Sequence, residues 1–176
     1  DPAWANLPEE APESHPGEPE FITNVVRPIN AQDGDLLPVS AFTDHVDGTW
    51  PQGTAKYEKR GVAAFVPEWN PENCIQCNRC SFVCPHATIR PFLLNAEEMA
   101  AAPFGEEHSI PAMGKNVAGM RFVQQVDVLD CLGCGNCVDV CPGKKGNKAL
   151  AMKHIESQFE EQKNWDYCID HVSSKA

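Results

Sequence analysis

Four short, apolar-rich stretches of the chain, VAAFVPEW (62–69), ATIRPFLL (87–94), RFVQQVDVLD (121–130) and KALAMKHI (148–155), read as strands, the second by its alternation of apolar and polar residues. Pro91 lacks the N–H that a central strand needs, which puts the second of them at a sheet edge. NAEEMAAA (95–102) reads as a short helix with Asn95 as its cap, and ESQFEEQKNWDYCIDH (156–171) as a closing helix that lays Phe159, Trp165 and Ile169 on the core. FITNVVRPI (21–29) reads as a strand or an extended arm. Gly34, Pro38, Gly48, Pro51 and Gly53 punctuate residues 30–53 too often for a long helix, and 103–119 form a second Gly- and Pro-punctuated loop. The first of these stretches predicts a wrapping segment, which stays ordered only over a larger body.

The strands bracket an internal repeat. CIQCNRCSFVCP (74–85) and CLGCGNCVDVCP (131–142) carry cysteines at one spacing, offset by 57 residues (131 minus 74), so strand, cysteine loop, helical turn and return strand occur twice. Three cysteines three apart, a fourth four residues on and a proline directly after it form the pattern by which bacterial ferredoxins hold [4Fe–4S] clusters. A cubane offers four iron corners, and one tight loop presents only three thiolates to it. Proline restricts the residue before it to extended conformations, so Pro85 and Pro142 aim Cys84 and Cys141 out of their own loops. The expected ligands are Cys74, Cys77, Cys80 and Cys141 for one cluster and Cys131, Cys134, Cys137 and Cys84 for the second.

Zinc and disulfides are the competing readings of these cysteines. A four-thiolate zinc site uses two separated Cys-x-x-Cys pairs and needs neither the third cysteine nor the trailing Cys-Pro. A disulfide framework suits a small secreted chain, and this one has 176 residues. Cys168, outside both motifs, is expected to be a buried or free thiol. The histidines at 15, 45, 86, 108, 154 and 171 lack metal-ligand spacing; His86, just after Pro85, reads as a turn residue with cluster lining as the alternative, and Trp69 and Trp165 as core or interface packing with a place near the clusters as the alternative.

The expected fold class is α+β, a two-[4Fe–4S] ferredoxin-like fold of pseudo-twofold symmetry with an irregular, extended N-terminal segment. Its parts are an acidic Pro-rich linker (1–24), the wrapping segment (25–62), a two-cluster domain (63–156) with an insertion at 95–119, and a C-terminal helix and tail (157–176). Lys and Arg total 14 against 25 Asp and Glu, a net charge of −11, and two clusters take it to about −15. That balance argues against nucleic acid or an anionic membrane as partner. No apolar run reaches bilayer-spanning length, and exposed clusters beside free thiols predict a reducing cytoplasm. Asp33-Gly34-Asp35 reads as a turn, and there is no Gly-rich phosphate loop.

Electron transfer requires no acid, base or nucleophile, so no catalytic residue is expected; the protein controls distance and potential. Ile75, Phe82, Val83, Leu132, Val138 and Val140 are the expected shields against water. Gly133 and Gly135 in one loop, against Gln76 and Asn78 in the other, predict unequal potentials. Lys144, Lys145 and Lys148 make a candidate docking surface for an acidic acceptor.

In order along the chain, GDLLPVSAF (34–42), GTAKYEKRGVAAFVPEW (53–69) and CIQCNRCSFVCPHATIRP (74–91) resemble the ferredoxin-type region of pyruvate:ferredoxin (flavodoxin) oxidoreductase, the likeness running from about Val25 to His154. The cysteine part is common to many two-cluster modules; the lead-in with Glu58-Lys59-Arg60 is narrower. The resemblance implies a fragment, not an enzyme by itself, cut from a long chain. That parent would use thiamine diphosphate, magnesium and coenzyme A, carry a third cluster elsewhere, and pass electrons through this module to ferredoxin or flavodoxin. A free-standing diffusible ferredoxin, the module of another 2-oxoacid oxidoreductase, and clusters that only stabilise the fold are the alternatives.

Overall fold

A computed structural model describes residues 17–175, in two units, Asp1–Lys59 and Arg60–Ala176. Most of the expected acidic linker therefore lies outside the described residues.

In the first unit, FITNVVRPI is helical. A wide π turn, Ile22–Val26, runs into a short helix α1 (Arg27–Asn30), and Ile22, Val25 and Val26 are buried. Their spacing is i, i+3, i+4, one face of a helix, which outweighs the strand preference of the paired valines. The wider turn also gives the ring of Pro28 room, since a proline inside a regular α-helix meets the carbonyl four residues back. The Arg27 guanidinium donates to the Glu18 carboxylate (Nε to Oε2, 2.9 Å). After α1 the chain proceeds by short 3-10 turns at Gly34–Leu36, Val39–His45 and Thr54–Tyr57, as the Gly and Pro punctuation predicts. The Phe21 ring packs edge-on to His45 and Trp50 (4.8 and 4.9 Å), while Leu36, Val39 and Val46 are exposed.

In the second unit the four apolar-rich stretches form strands, joined by a fifth of two residues: β1 (Phe65–Trp69), β2 (Ile89–Leu94), β3 (Ile110–Pro111), β4 (Arg121–Val126) and β5 (Leu150–His154). β1 pairs antiparallel with β5, Phe65 opposite His154 and Trp69 opposite Leu150. The second sheet has the order β2-β4-β3, Ile89 opposite Val126 and Leu94 opposite Arg121, with the Pro91 strand at its edge. Each strand that enters a cysteine loop thus pairs with the strand that leaves the other loop. The 103–119 segment is not loop throughout, because β3 adds to the sheet and Arg121 holds it there, Nε donating to Ser109 Oγ (2.9 Å) and Nη2 to the carbonyls of Glu106 and Ser109 (3.1 and 3.0 Å).

Helices α2 (Arg79–Val83) and α4 (Asn136–Asp139) follow the two cysteine loops, α3 (Ala96–Ala101) follows β2, and α5 (Glu161–His171) closes the chain. Asn95 caps α3 in a full capping box: its side chain accepts from Glu98 N, and Glu98 Oε2 accepts from Asn95 N (both 2.8 Å). The other oxygen of Glu98 accepts from Ser173 N (3.0 Å) and Lys175 Nζ (2.6 Å), which draws the C-terminal tail onto α3. Burial pushes the Glu98 carboxyl up, but these donors outweigh it and hold its pKa down at about 2.

On α5 the buried residues are Gln162, Asn164, Trp165 and Cys168, with Gln162, Trp165 and Cys168 spaced by three on one face. Trp165 packs as expected, edge-on to Phe92. Phe159 and Ile169 do not: Phe159 precedes the helix and Ile169 lies off that face, so both are exposed. Cys168 is fully buried with Leu94, Met99, Phe104 and Val123. A second apolar cluster, Ile89, Val126, Cys137 and Leu150, also touches Cys80, Cys84 and Cys141 and so packs against cysteines of both loops.

Candidate metal centres

Both cysteine loops turn by the same device. Each steps twice through the left-handed region, at Gln76 and Asn78 (φ +55° and +57°) in the first and at Gly133 and Gly135 (φ +67° and +79°) in the second. The turn aims backbone N–H groups at sulfur. Gln76 N donates to Cys74 Sγ and Gly133 N to Cys131 Sγ, both at 3.4 Å, and Ala149 N donates to Cys141 Sγ at 3.3 Å. A Cβ on Gly133 would lie 2.7 Å from the carbonyl oxygen of Phe65 in β1, whereas one on Gly135, which lines the second cavity, would meet no protein atom within 4 Å.

The cysteines gather around two small cavities of similar size, about 20 Å³ each. Cys74, Cys77, Cys80 and Cys141 line the first, with Trp69 and Leu150; Cys84, Cys131, Cys134 and Cys137 line the second, with Ile89 and Met152. Each cavity therefore takes three cysteines from one loop and the Cys-Pro cysteine from the other. Among the described residues no three His, Cys, Asp or Glu side chains are grouped to hold a single metal ion. Four thiols spread around a cavity suit a cluster that offers each its own iron corner.

Electrostatics differ within each set. Burial pushes the thiols of Cys80 and Cys137 up to about 11 and about 12, and raises Cys131. These stay protonated until a metal displaces the proton. At Cys84 burial also acts upward, but Thr88 Oγ1 at 3.4 Å and the amides of His86, Thr88 and Ile89 outweigh it and hold the thiol below its ordinary range. Asn78, on the wall of the first cavity, has a buried Oδ1 without a hydrogen-bond partner.

Ile75 and Leu132 each line one cavity, with their outer faces exposed, and Val83 and Val138 pack beside the cysteines. Phe82 does not shield: it is 88% exposed and lines neither cavity, because the single turn of α2 directs Cys80 and Val83 inward and Phe82 outward. Of the three lysines after the second Cys-Pro, Lys148 is engaged, its Nζ donating to the Val138 carbonyl (2.7 Å). Lys144 and Lys145 lie in an exposed turn. His86 and Trp69 line the second and first cavities respectively. The sequence reading missed Thr88 and the inward residues of the return strands, Ile89, Leu150 and Met152; their alternation with Arg90, Ala151 and Lys153 was the available signal.

Comparison with known proteins agrees with this chemistry. A domain described as EKR, of unknown function, matches residues 8–63, and a 4Fe-4S dicluster domain matches 67–142, so the chain carries two [4Fe–4S] clusters. It is 52% identical over 168 residues to the pyruvate:ferredoxin oxidoreductase of Moorella thermoacetica and 50% over 166 to the pyruvate-flavodoxin oxidoreductase of Klebsiella pneumoniae, covering 94% of this chain and 14% of each relative. It is also 43% identical over 169 residues to the mitochondrial pyruvate dehydrogenase [NADP(+)] of Euglena gracilis, covering 95% of this chain and 9% of that one. By these matches the chain belongs to the pyruvate:ferredoxin and pyruvate-flavodoxin oxidoreductase family, as its EKR segment and 4Fe-4S dicluster domain, and it spans about 14% of the length of those relatives.

Proposed function

We propose that this chain is the electron-exit segment of a pyruvate:ferredoxin or pyruvate-flavodoxin oxidoreductase, with one cluster on Cys74, Cys77, Cys80 and Cys141 and the other on Cys131, Cys134, Cys137 and Cys84. The observation that carries the reading is the mixed origin of each cavity's cysteines, three from one loop and one from the other. The exchanged strand pairing, β1 with β5 and β4 with β2, supports a pseudo-twofold, ferredoxin-like arrangement.

When bound, the clusters supply reversible one-electron reduction and oxidation. The chain's own residues do the rest. Cys80, Cys84, Cys137 and Cys141 converge on one small apolar cluster, which keeps the two sites close enough for tunnelling between them. Ile89, Leu150 and Met152 exclude water from the cavities, and the amides of Gln76, Gly133 and Ala149 bear on sulfur and tune its charge. Cys77 and Cys134 are exposed, one on each cavity, and provide the edges at which electrons enter and leave.

In the parent, electrons from pyruvate, released in a thiamine diphosphate and coenzyme A reaction housed outside this chain, reach the first edge and leave for ferredoxin or flavodoxin. A relative named for NADP(+) matches over the same region. Rapid mixing tests the proposal. The anaerobically loaded chain, reduced with dithionite and freed of excess, should deliver up to two electrons to oxidised flavodoxin or ferredoxin in single-turnover traces. Clusters that resist reduction, or hold their electrons, would leave only a structural role.

A further inference from the structure

The two loops match in backbone but not in what their second residue does. Where the second loop has Gly133, the first has Gln76, whose side-chain amide reaches the inserted segment: Nε2 donates to the Pro111 carbonyl (2.7 Å) and Oε1 accepts from Met113 N (2.9 Å). The amide thus stands where a peptide group of a neighbouring strand would, astride Ala112. On its other side Ala112 N donates to the Met120 carbonyl (3.0 Å), so the segment is held from both flanks. Between the first loop and this segment lies a crevice of about 590 Å³, walled by Asn73, Cys74 and Gln76 on one side and Ile110, Pro111 and Met113 on the other. Cys74 lines both the crevice and the first cavity.

We propose that Gln76 is a positioning residue that pins the 103–119 insertion across the first loop, thereby limiting water at Cys74 and lowering the potential of the cluster held there. The inference rests on the assignment of Cys74 as a ligand. Its sign follows from charge: reduction adds a negative charge to a site already anionic, and low hydration disfavours the more charged state. Released, the insertion would swing outward, more water would reach the Cys74 sulfur, and the reduced state would gain. At the second loop nothing comparable is possible, because Gly133 carries no side chain and faces the Phe65 carbonyl.

The test uses the loaded full chain. Gln76→Gly keeps the left-handed backbone unstrained and matches Gly133. It should speed amide exchange in peptides covering 110–113 and favour reduction of one cluster about tenfold, an upward shift of about 59 mV in one midpoint with the other unchanged. Cys74→Ala, run alongside, should abolish that same midpoint. Loss of neither midpoint in Cys74→Ala would overturn the ligand assignment. Faster exchange without a potential shift, or a shift without faster exchange, would overturn the positioning role alone. If Gln76→Gly does not retain full iron content, Met113→Pro removes one clamp bond from the insertion side and should raise the same midpoint; an unchanged midpoint there overturns the proposal.

Discussion

Gly133 and Gly135 occupy the same backbone region two residues apart, yet alanine should be tolerated at only one of them. Either substitution places a Cβ in the left-handed conformation, at a cost of about 1–2 kcal/mol. At Gly135, which lines the second cavity, no protein atom lies within 4 Å, so against the protein the cost ends there. At Gly133 the new methyl would lie 2.7 Å from the Phe65 carbonyl oxygen and 3.1 Å from the Ala63 Cβ. Phe65 is paired with His154 in the β1–β5 ladder, so its carbonyl yields only if the loop or the strand shifts, an overpacking cost of about 1–3 kcal/mol. Loss of iron makes unfolding irreversible, so the comparison is kinetic: the half-life of the visible cluster absorption in anaerobic denaturant. If the extra cost appears wholly in the unfolding rate, Gly133→Ala should bleach about 5- to 150-fold faster than Gly135→Ala. Equal half-lives would refute the claim that the Phe65 contact holds the second loop.

Three further outcomes follow from named contacts. Glu98→Gln should weaken the tie between α3 and the C-terminal tail by about 1–2 kcal/mol at pH 7, after allowance for solvent screening, read from unfolding rates in anaerobic urea. The folded pKa of Glu98 is depressed from 4.5 to about 2, so this stability is present above about pH 4.5 and fades toward pH 2, and the wild-type advantage should shrink over that window; an advantage independent of pH would count against the ion pair. Cys168, fully buried and pushed to about 12 by burial and by the Glu98 charge, should resist thiol reagents in the folded protein, and Cys168→Ala should retain full iron content while losing about 2 kcal/mol or less of stability; iron loss in that variant would make Cys168 part of a centre. Reversing Lys144 and Lys145 to glutamate should slow transfer to an acidic ferredoxin at low salt and leave the rate at high salt unchanged, in stopped-flow traces; an unchanged low-salt rate removes that turn from the docking surface.

Much of the cluster region was legible because its rules are local. Alternation marked β2, apolar stretches flanking the repeated cysteine loops marked β1, β4 and β5, and Asn95 marked the start of α3. The 21–29 stretch was misread because Val25-Val26 favour strands in isolation, while the i, i+3, i+4 placement of Ile22, Val25 and Val26 decided for helix once that face was buried. β3 gave no signal, being two residues with a proline, ordered by Arg121 and by strand pairing from residues ten or more positions away. The bonds of Gln76 to Pro111 and Met113 were invisible for the same reason: nothing near Gln76 in sequence announces a partner 35 residues on. The outward turn of Phe82 depends on where a single helical turn begins, which composition leaves undetermined.

The central claim is the exchange of Cys84 and Cys141 between two clusters. Anomalous iron density from an anaerobic crystal of the loaded chain tests it most directly. The account predicts two four-iron centres, Cys141 Sγ on the one held by Cys74, Cys77 and Cys80, and Cys84 Sγ on the one held by Cys131, Cys134 and Cys137. Cys84 and Cys141 each bound within its own loop's cluster, or a single centre, would contradict it.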